Sequence, residues 1–160
     1  MHRRAGAAAV AAAVILPFIL AFLLGLWEVG RLVWVTQIMT NAAREGARVA
    51  AGGTYATNPV TVATVQQEVK DYLTTAGLPS AAVSGATVTL TNLSSNAWTD
   101  PCDAWPLDHF RVTITIPSGA AYDSLKFCSK TITGANSLTV SMDWLSANDS
   151  RVTVNAQLPY

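Results

Sequence analysis

The residue types that could carry chemistry are few. Asp108 and His109 are adjacent and could, with a serine, suggest a hydrolytic site. However, the second histidine is His2, and the chain has neither a Gly-x-Ser-x-Gly motif nor a phosphate-binding glycine loop. We therefore predict that the chain is not an enzyme and that it uses no cofactor and no small-molecule substrate.

Three carboxylates, Asp100, Asp103 and Asp108, lie in one predicted loop. Carboxylate oxygens are the ligands that Ca²⁺ prefers, so a metal site is one interpretation. The spacing of the three acids does not match a calcium-binding hand, in which the ligands alternate along a twelve-residue loop. The favoured interpretation is a solvated acidic loop without metal.

The two cysteines, Cys102 and Cys128, both fall in the C-terminal part of the chain. Cysteines pair in oxidising compartments, so export would favour a disulfide over two buried thiols. A bridge that closes a loop of about 27 residues would contribute ~3 kcal/mol in the chain-entropy model. We predict that the two form a disulfide.

Charged residues near the apolar N-terminal run are spaced for helical pairing. Glu28 and Arg31 are three residues apart, as are Glu45 and Arg48, and Arg44 precedes the second pair. Each set could pair between copies of the chain or only within its own helix. Gly46 costs a helix about 1 kcal/mol relative to alanine, which indicates close packing at that position.

These residues require a long helix to position them. Arg3 and Arg4 are followed by an uncharged run from 5 to 27, and about 23 residues at ~1.5 Å each can cross a bilayer core. A cleaved signal peptide would have a shorter apolar region followed by a turn. Pro17 should kink this helix. The helical spacing of Ile38 and Ala42 continues the apolar stripe to Gly52 and Gly53.

The rest of the chain has the pattern of a small α+β head. An amphipathic helix of about 17 residues is predicted from Asn58-Pro59 to Gly77. Alternating apolar residues then predict antiparallel strands. These strands cover 86–93, 110–116, 138–144 and 151–158, with a short piece at 130–133. We expect a transmembrane segment and stalk over 1–53 and a head over 54–160, with the amphipathic helix packed on the sheet.

Charge is distributed unevenly although the formal net charge is +0. Residues 1–53 carry five arginines against Glu28 and Glu45, whereas the remainder carries five basic and eight acidic residues. The stalk is thus basic and the head mildly acidic, which weakly favours head-to-stalk contacts between copies. No basic patch with interleaved aromatics is present, so we expect no nucleic-acid partner.

The N-terminal third resembles the TadE-like family, pilin-like proteins of tight-adherence (Flp-type) pilus systems. The resemblance rests on three elements in order: Gly6 with its alanine-rich run, Leu16-Pro17, and the spaced motifs of the stalk. Those motifs are Gly25-x-x-Glu28-x-Gly30-Arg31 and Asn41-Ala-Ala-Arg-Glu-Gly-Ala-Arg48. The resemblance implies a long N-terminal helix that serves first as a membrane anchor and then as a filament core.

One position departs from the family pattern. Members usually have a glutamate five residues after the processing-site glycine, where this chain has Ala11. The resemblance implies prepilin-peptidase cleavage between Gly6 and Ala7, but the missing acid favours an uncleaved N-terminus. It also implies other pilins, further copies of the chain, the inner-membrane assembly platform and the lipid bilayer as partners.

The sequence therefore predicts a structural subunit of a tight-adherence-type pilus or of its assembly machinery. The basic leader would stay in the cytoplasm of a bacterial cell, with one span in the inner membrane and the head outside. The alternative is a monomeric, membrane-anchored binding module whose contact surface is the loop with Trp98 and Trp105.

Overall fold

A single helix, α1, runs from His2 to Ala51, and its C-terminal third forms part of the core of the head. The computed structural model describes residues 2–53, 59–121 and 136–147, with backbone alone for residues 2–9, 118 and 121. Pro17 lies inside α1, and Gly52 and Gly53 follow its end. The long N-terminal helix is confirmed.

The second helix, α2, spans Val62–Thr75 and is shorter than predicted. It begins after Thr61, whose Oγ1 accepts a hydrogen bond from the Thr64 amide at 3.2 Å. The Val62 amide donates to Asp100 Oδ1 at 2.8 Å. These two acceptors satisfy first-turn amides that have no partner within the helix, which explains why the helix begins there and not at Pro59.

Three strands form an antiparallel sheet in the order β1-β2-β3. They are β1 (Thr87–Asn92), β2 (His109–Pro117) and β3 (Ser137–Leu145). In the register, Val88 pairs with Ile114, and Ile114 pairs with Val140. The three strands predicted over 86–93, 110–116 and 138–144 are therefore confirmed, whereas 130–133 and 151–158 lie outside the described residues.

Short elements that the apolar pattern did not predict connect the sheet. They are α3 (Ser80–Gly85), a 3₁₀ turn (Pro101–Asp103) and α4 (Ser118–Ala121). None is long enough to show a hydrophobic period. The 3₁₀ turn lies against the end of α1 and the start of α2, because Pro101 O lies close to Gly53 and the Cys102 amide donates to Val60 O at 3.1 Å.

Both long helices cover the inner face of the sheet, α1 mainly over β3 and β2, and α2 over β1 and against α1. The inner positions of β2 are Phe110, Val112, Ile114 and Ile116, and all four are buried. A fully buried side chain of this size contributes about 1.5–3 kcal/mol. The α+β class, with a long helix followed by a small head, is thus confirmed.

Candidate functional site

The most unusual surface of the molecule is the N-terminal half of α1. The described side chains from Val10 to Trp27 are all exposed, including Phe18 at 73% and Trp27 at 68%. Within the described residues, this is the one helix long and apolar enough to cross a membrane by length and composition. Apolar area of this extent is unfavourable in water, so it requires either lipid or other helices to cover it.

Burial along α1 changes at Val35. From there one face of the helix enters the head, and Val35, Met39, Ala43 and Ala47 are each 0% exposed. The opposite face stays at the surface, as Gln37, Asn41 and Arg44 show. The helix that carries the exposed apolar segment is therefore continuous with the core of the head.

Three of the predicted packing residues, Ile38, Ala42 and Gly46, lie on the buried face. A Cβ atom at Gly46 would lie 2.5 Å from Val69 Cγ2 in α2. The glycine allows α1 and α2 of the same chain to approach. Within the described chain, these three residues thus pack in the core of their own head.

Glu28 is half-buried, and its Oε2 atom is buried without a hydrogen-bond partner among the described residues. Arg31, three residues later, is also half-buried. A carboxylate oxygen left without a donor close to an apolar segment is costly, and a group from outside the chain would relieve that cost. The geometry is compatible with the predicted pairing between copies.

Arg48 pairs within its own helix. Its Nε donates to Glu45 Oε2 at 3.0 Å, and its Nη2 donates to Glu45 Oε1 at 2.5 Å. Arg44 is exposed and has no ion-pair partner among the residues that the structure describes. Of the three charged residues predicted to act together, Glu45 and Arg48 therefore bond to each other, and Arg44 takes no part in that pair.

A groove of ≈ 520 Å³ runs along the exposed face of α1. Its lining consists of Leu32, Val33, Thr36, Gln37, Thr40, Asn41 and Arg44. Two of its hydroxyls are satisfied within the helix, since Thr36 donates to Leu32 O and Thr40 donates to Thr36 O. The sequence interpretation missed this groove, although polar residues at 37, 41 and 44 have the spacing of one helical stripe.

The acidic loop uses its carboxylates internally. Asp100 caps α2, and Asp108, which is 5% exposed, accepts hydrogen bonds from Asn96 Nδ2 at 2.9 Å and from the Trp105 amide at 2.8 Å. Asp103 lies in the 3₁₀ turn between them. Among the described residues, no three His, Cys, Asp or Glu side chains converge as metal ligands.

The Asp108–His109 pair is not arranged for hydrolysis. Ser94 Oγ accepts from the His109 amide at 2.6 Å and donates to His109 O at 3.4 Å, so it bonds to the backbone of His109. The Asp108 carboxylate bonds to Asn96 and Trp105. A catalytic triad would require the imidazole between the hydroxyl and the carboxylate.

The predicted exposed tryptophans differ in environment. Trp98 is half-buried, and its ring meets Phe110 edge-on with a centroid distance of 6.3 Å. Trp105 is 52% exposed and Leu107 is 72% exposed. Trp98 is therefore a packing residue, and of the two tryptophans Trp105 alone is exposed. That Trp105 forms a contact surface stays a prediction.

Two other predicted sites lie partly outside the described side chains. Cys102 is buried in the 3₁₀ turn, while Cys128 falls outside the described residues, so the disulfide stays a prediction. Gly6 and Ala7 lie in α1, where the backbone alone is described. Processing at that bond likewise stays a prediction.

The fold and its exposed helix define a class: a small α+β head on a long apolar N-terminal helix. The sequence model described as "TadE-like protein" matches residues 6–48, which confirms the predicted family resemblance over the exposed segment and the first part of the core. This family is associated with the tight-adherence pilus. No curated protein matches the chain. No solved structure matches it either.

Proposed function

We propose that this chain is a structural subunit of a tight-adherence-type pilus or of its assembly machinery. The observation that carries the proposal is the continuity of α1: the same helix exposes apolar side chains from Val10 to Trp27 and enters the head's core from Val35. The family match over residues 6–48 covers both parts. Such a helix can anchor the head in a bilayer and can equally hold it in a bundle of like helices.

The driving force is burial of apolar area. In the bilayer, lipid covers the exposed segment, so helices gain little by associating through the hydrophobic effect. Outside the bilayer the same area must be covered by neighbouring helices, at about 25 cal/mol per Å². Assembly in water would therefore proceed through α1, with other pilins, further copies of this chain and the inner-membrane assembly platform as its partners.

The proposed topology places the basic leader with Arg3 and Arg4 in the cytoplasm and the head outside. Trp27 and Trp34 are both exposed, and amphipathic tryptophan rings favour the membrane–water interface. The head core begins at Val35, directly beyond them. We propose an inner-membrane span that ends near these tryptophans, with the N-terminus left uncleaved because Ala11 replaces the usual acid.

The test is electron microscopy of sheared cell-surface material, combined with mass spectrometry of the chain's N-terminus. We expect the chain in sheared filaments or in complexes with the assembly platform, beginning before Gly6. A protein found in the membrane fraction and never in filaments would exclude the building-block role but not the accessory role. Failure to co-purify with any pilus component would exclude both.

A second candidate is a monomeric, membrane-anchored binding module. It is favoured by the exposed Trp105 and Leu107, which lie at the end of the head where α1 stops: the Leu107 amide donates to Ser146 O, and the Ala147 amide donates to Ala51 O. In this case the long helix would be only an anchor and spacer.

Cysteine cross-linking in native membranes discriminates the two candidates. Val33→Cys and Gln37→Cys place thiols on the exposed face of α1, and Ala43→Cys is the matched control on the buried face. A subunit that assembles should give oligomers from the exposed positions and none from position 43. A monomeric module should give none from any position.

A further inference from the structure

Three polar side chains that line the α1 groove lack partners among the residues that the structure describes. The side chains of Gln37, Asn41 and Arg44 make no hydrogen bond or ion pair in the described structure, and they lie four and three residues apart. The neighbouring threonines are satisfied by the helix backbone. The groove therefore offers two amides and one guanidinium beside the apolar Leu32 and Val33.

An acidic surface with matching chemistry lies on α2. Glu68 and Asp71 are both exposed, and one oxygen of Asp71 accepts from Gln67 Nε2 at 2.8 Å. The other oxygen of Asp71 has no partner among the described residues. Asp71 therefore offers a carboxylate oxygen to a cation such as Arg44, whereas Glu68 lies near enough to Arg48 of its own α1 to interact with it electrostatically.

The groove and α2 lie on opposite flanks of α1. Gly46 contacts Val65 and Val69 of α2. At about 100° per residue, Gln37 and Arg44 lie roughly 180° and roughly 200° around the helix from Gly46. One chain thus cannot bring its own α2 to its own groove, but a neighbouring copy can.

The two surfaces also lie at the same level along the helix axis. The N-terminal end of α2 lies near the C-terminal end of α1, because Val60 O bonds to Cys102 and Pro101 contacts Gly53. The two helices therefore run in opposite directions. Since Val69 is level with Gly46, Asp71 is about level with Arg44. Two copies at equal depth in a membrane could meet through these residues.

Building on the proposed function, we propose that the α1 groove is a docking site for α2 of a second copy of this chain, with Arg44 paired to the neighbour's Asp71. A symmetric contact between two grooves is disfavoured, because parallel copies would place Arg44 against Arg44. In a contact between unlike surfaces, the groove of one copy binds α2 of the next. The resulting pair still has one unoccupied groove and one unoccupied α2, so further copies can add to form a ring or a filament.

The test uses two differently tagged full-length copies co-expressed in native membranes. One copy carries Asn41→Cys in the groove and the other carries Thr75→Cys, which lies one turn beyond Asp71 on α2. A short bismaleimide should join position 41 to position 75. Arg44→Asp in the first copy should lower the yield about fivefold or more, and Asp71→Arg in the second should restore it.

The control reverses an exposed ion pair elsewhere in the head, with Arg111→Asp and Asp143→Arg together. This double variant should leave the yield of the 41–75 cross-link unchanged. The inference is overturned if Arg44→Asp has no effect, if Asp71→Arg does not restore the yield, or if position 41 links to position 41 instead. Loss of the cross-link in cells that still form filaments containing the chain would overturn this interface alone. Absence of the cross-link, of filaments that contain the chain and of any co-purifying pilus component would overturn the proposed function as well.

Discussion

The α carbon of Gly46 faces Val69 so closely that a Cβ atom there would lie 2.5 Å from Val69 Cγ2. Val69 is 0% exposed, and a β-branched side chain in a helix has essentially one rotamer, so it cannot turn away. The contact fixes the distance between α1 and α2. The helix that carries the exposed apolar segment therefore packs directly against α2.

We predict that Gly46→Ala destabilises the folded chain although alanine favours a helix. Overpacking costs typically 1–3 kcal/mol, against about 1 kcal/mol gained in helix propensity. Denaturant unfolding of the detergent-solubilised protein measures the difference. Val69→Ala combined with Gly46→Ala should be less destabilised than the two single effects added together, because it removes the clashing methyl.

Gly30→Ala is the matched control, since no atom outside its own helix backbone and chain neighbours lies within 4 Å of a Cβ at that position. It should leave the free energy of unfolding unchanged or raise it slightly. If Gly46→Ala changed the free energy of unfolding no more than Gly30→Ala does, α1 and α2 would not approach as closely at Gly46 as described.

Leu107 has a positive φ of 68°, a conformation that L residues rarely adopt. Its neighbours hold it there: the Asp108 carboxylate accepts from the Trp105 amide, and the Leu107 amide donates to Ser146 O at 2.8 Å. Because Leu107 is 72% exposed, replacing it loses little burial. We predict that Leu107→Asn stabilises the protein by about 0.5–1 kcal/mol, since asparagine tolerates this region.

Leu107→Val is the opposite test, because a branched Cβ is least compatible with a positive φ. Thermal unfolding should rank the variants as Asn above Leu above Val. The same order should disappear in an Asp108→Ala background if the carboxylate is what holds the turn. A ranking that places Val above Asn would contradict the assigned backbone conformation.

Hydrogen bonds from Arg111 lower the pKa of Asp143 below its ordinary value of 3.8. Arg111 Nε donates to Asp143 Oδ1 at 2.5 Å, and Nη2 donates to Oδ2 at 2.7 Å. A lowered folded-state pKa contributes stability above the ordinary value, and that contribution is lost as pH falls through the folded value. We therefore predict a small loss of stability below about pH 4 that depends on this pair.

Carboxyl NMR titration of the Asp143 side chain measures the shift directly. In Arg111→Gln the pKa of Asp143 should move back toward 3.8, and in Arg48→Gln it should not change, because Arg48 pairs with Glu45. An Asp143 pKa that is the same with and without Arg111 would show that the pair is not formed in solution.

Trp98 contributes through its ring and not through its indole N–H. In the part of the chain that the structure describes, Nε1 is buried without a hydrogen-bond partner, while the ring meets Phe110 at an interplanar angle of 81°. Trp98→Phe should therefore change the free energy of unfolding by less than about 1.5 kcal/mol, whereas Trp98→Ala should cost about 3–5 kcal/mol. A large loss in the phenylalanine variant would indicate that the N–H has a partner.

The sequence predicted those elements whose signals are local. The uncharged run before Trp27 requires a covered helix whatever surrounds it, and alternating apolar residues in β2 require a strand with one buried face. It was less accurate where an element depends on a distant residue. The start of α2 was placed too early because the Asp100 carboxylate, 38 residues away from Val62, caps the first turn.

The candidate site was predictable only in part for the same reason. The spacing identifies Arg44, Glu45 and Arg48, but it could not show that Arg48 bonds to Glu45 and that Arg44 has no ion-pair partner among the described residues. Likewise, Gly46 indicated close packing without indicating its partner. Each outcome depends on which face of α1 the head covers.

By itself, then, the sequence determined a long apolar helix with a family signature over residues 6–48, followed by an antiparallel α+β head. The tertiary structure decided that α1 is buried on one face from Val35, that Gly46 faces Val69, and that the groove lies on the flank away from α2. The physical reason is that hydrophobic periodicity is a property of each segment alone. The contacts that orient one segment against another depend on side chains far apart in the chain.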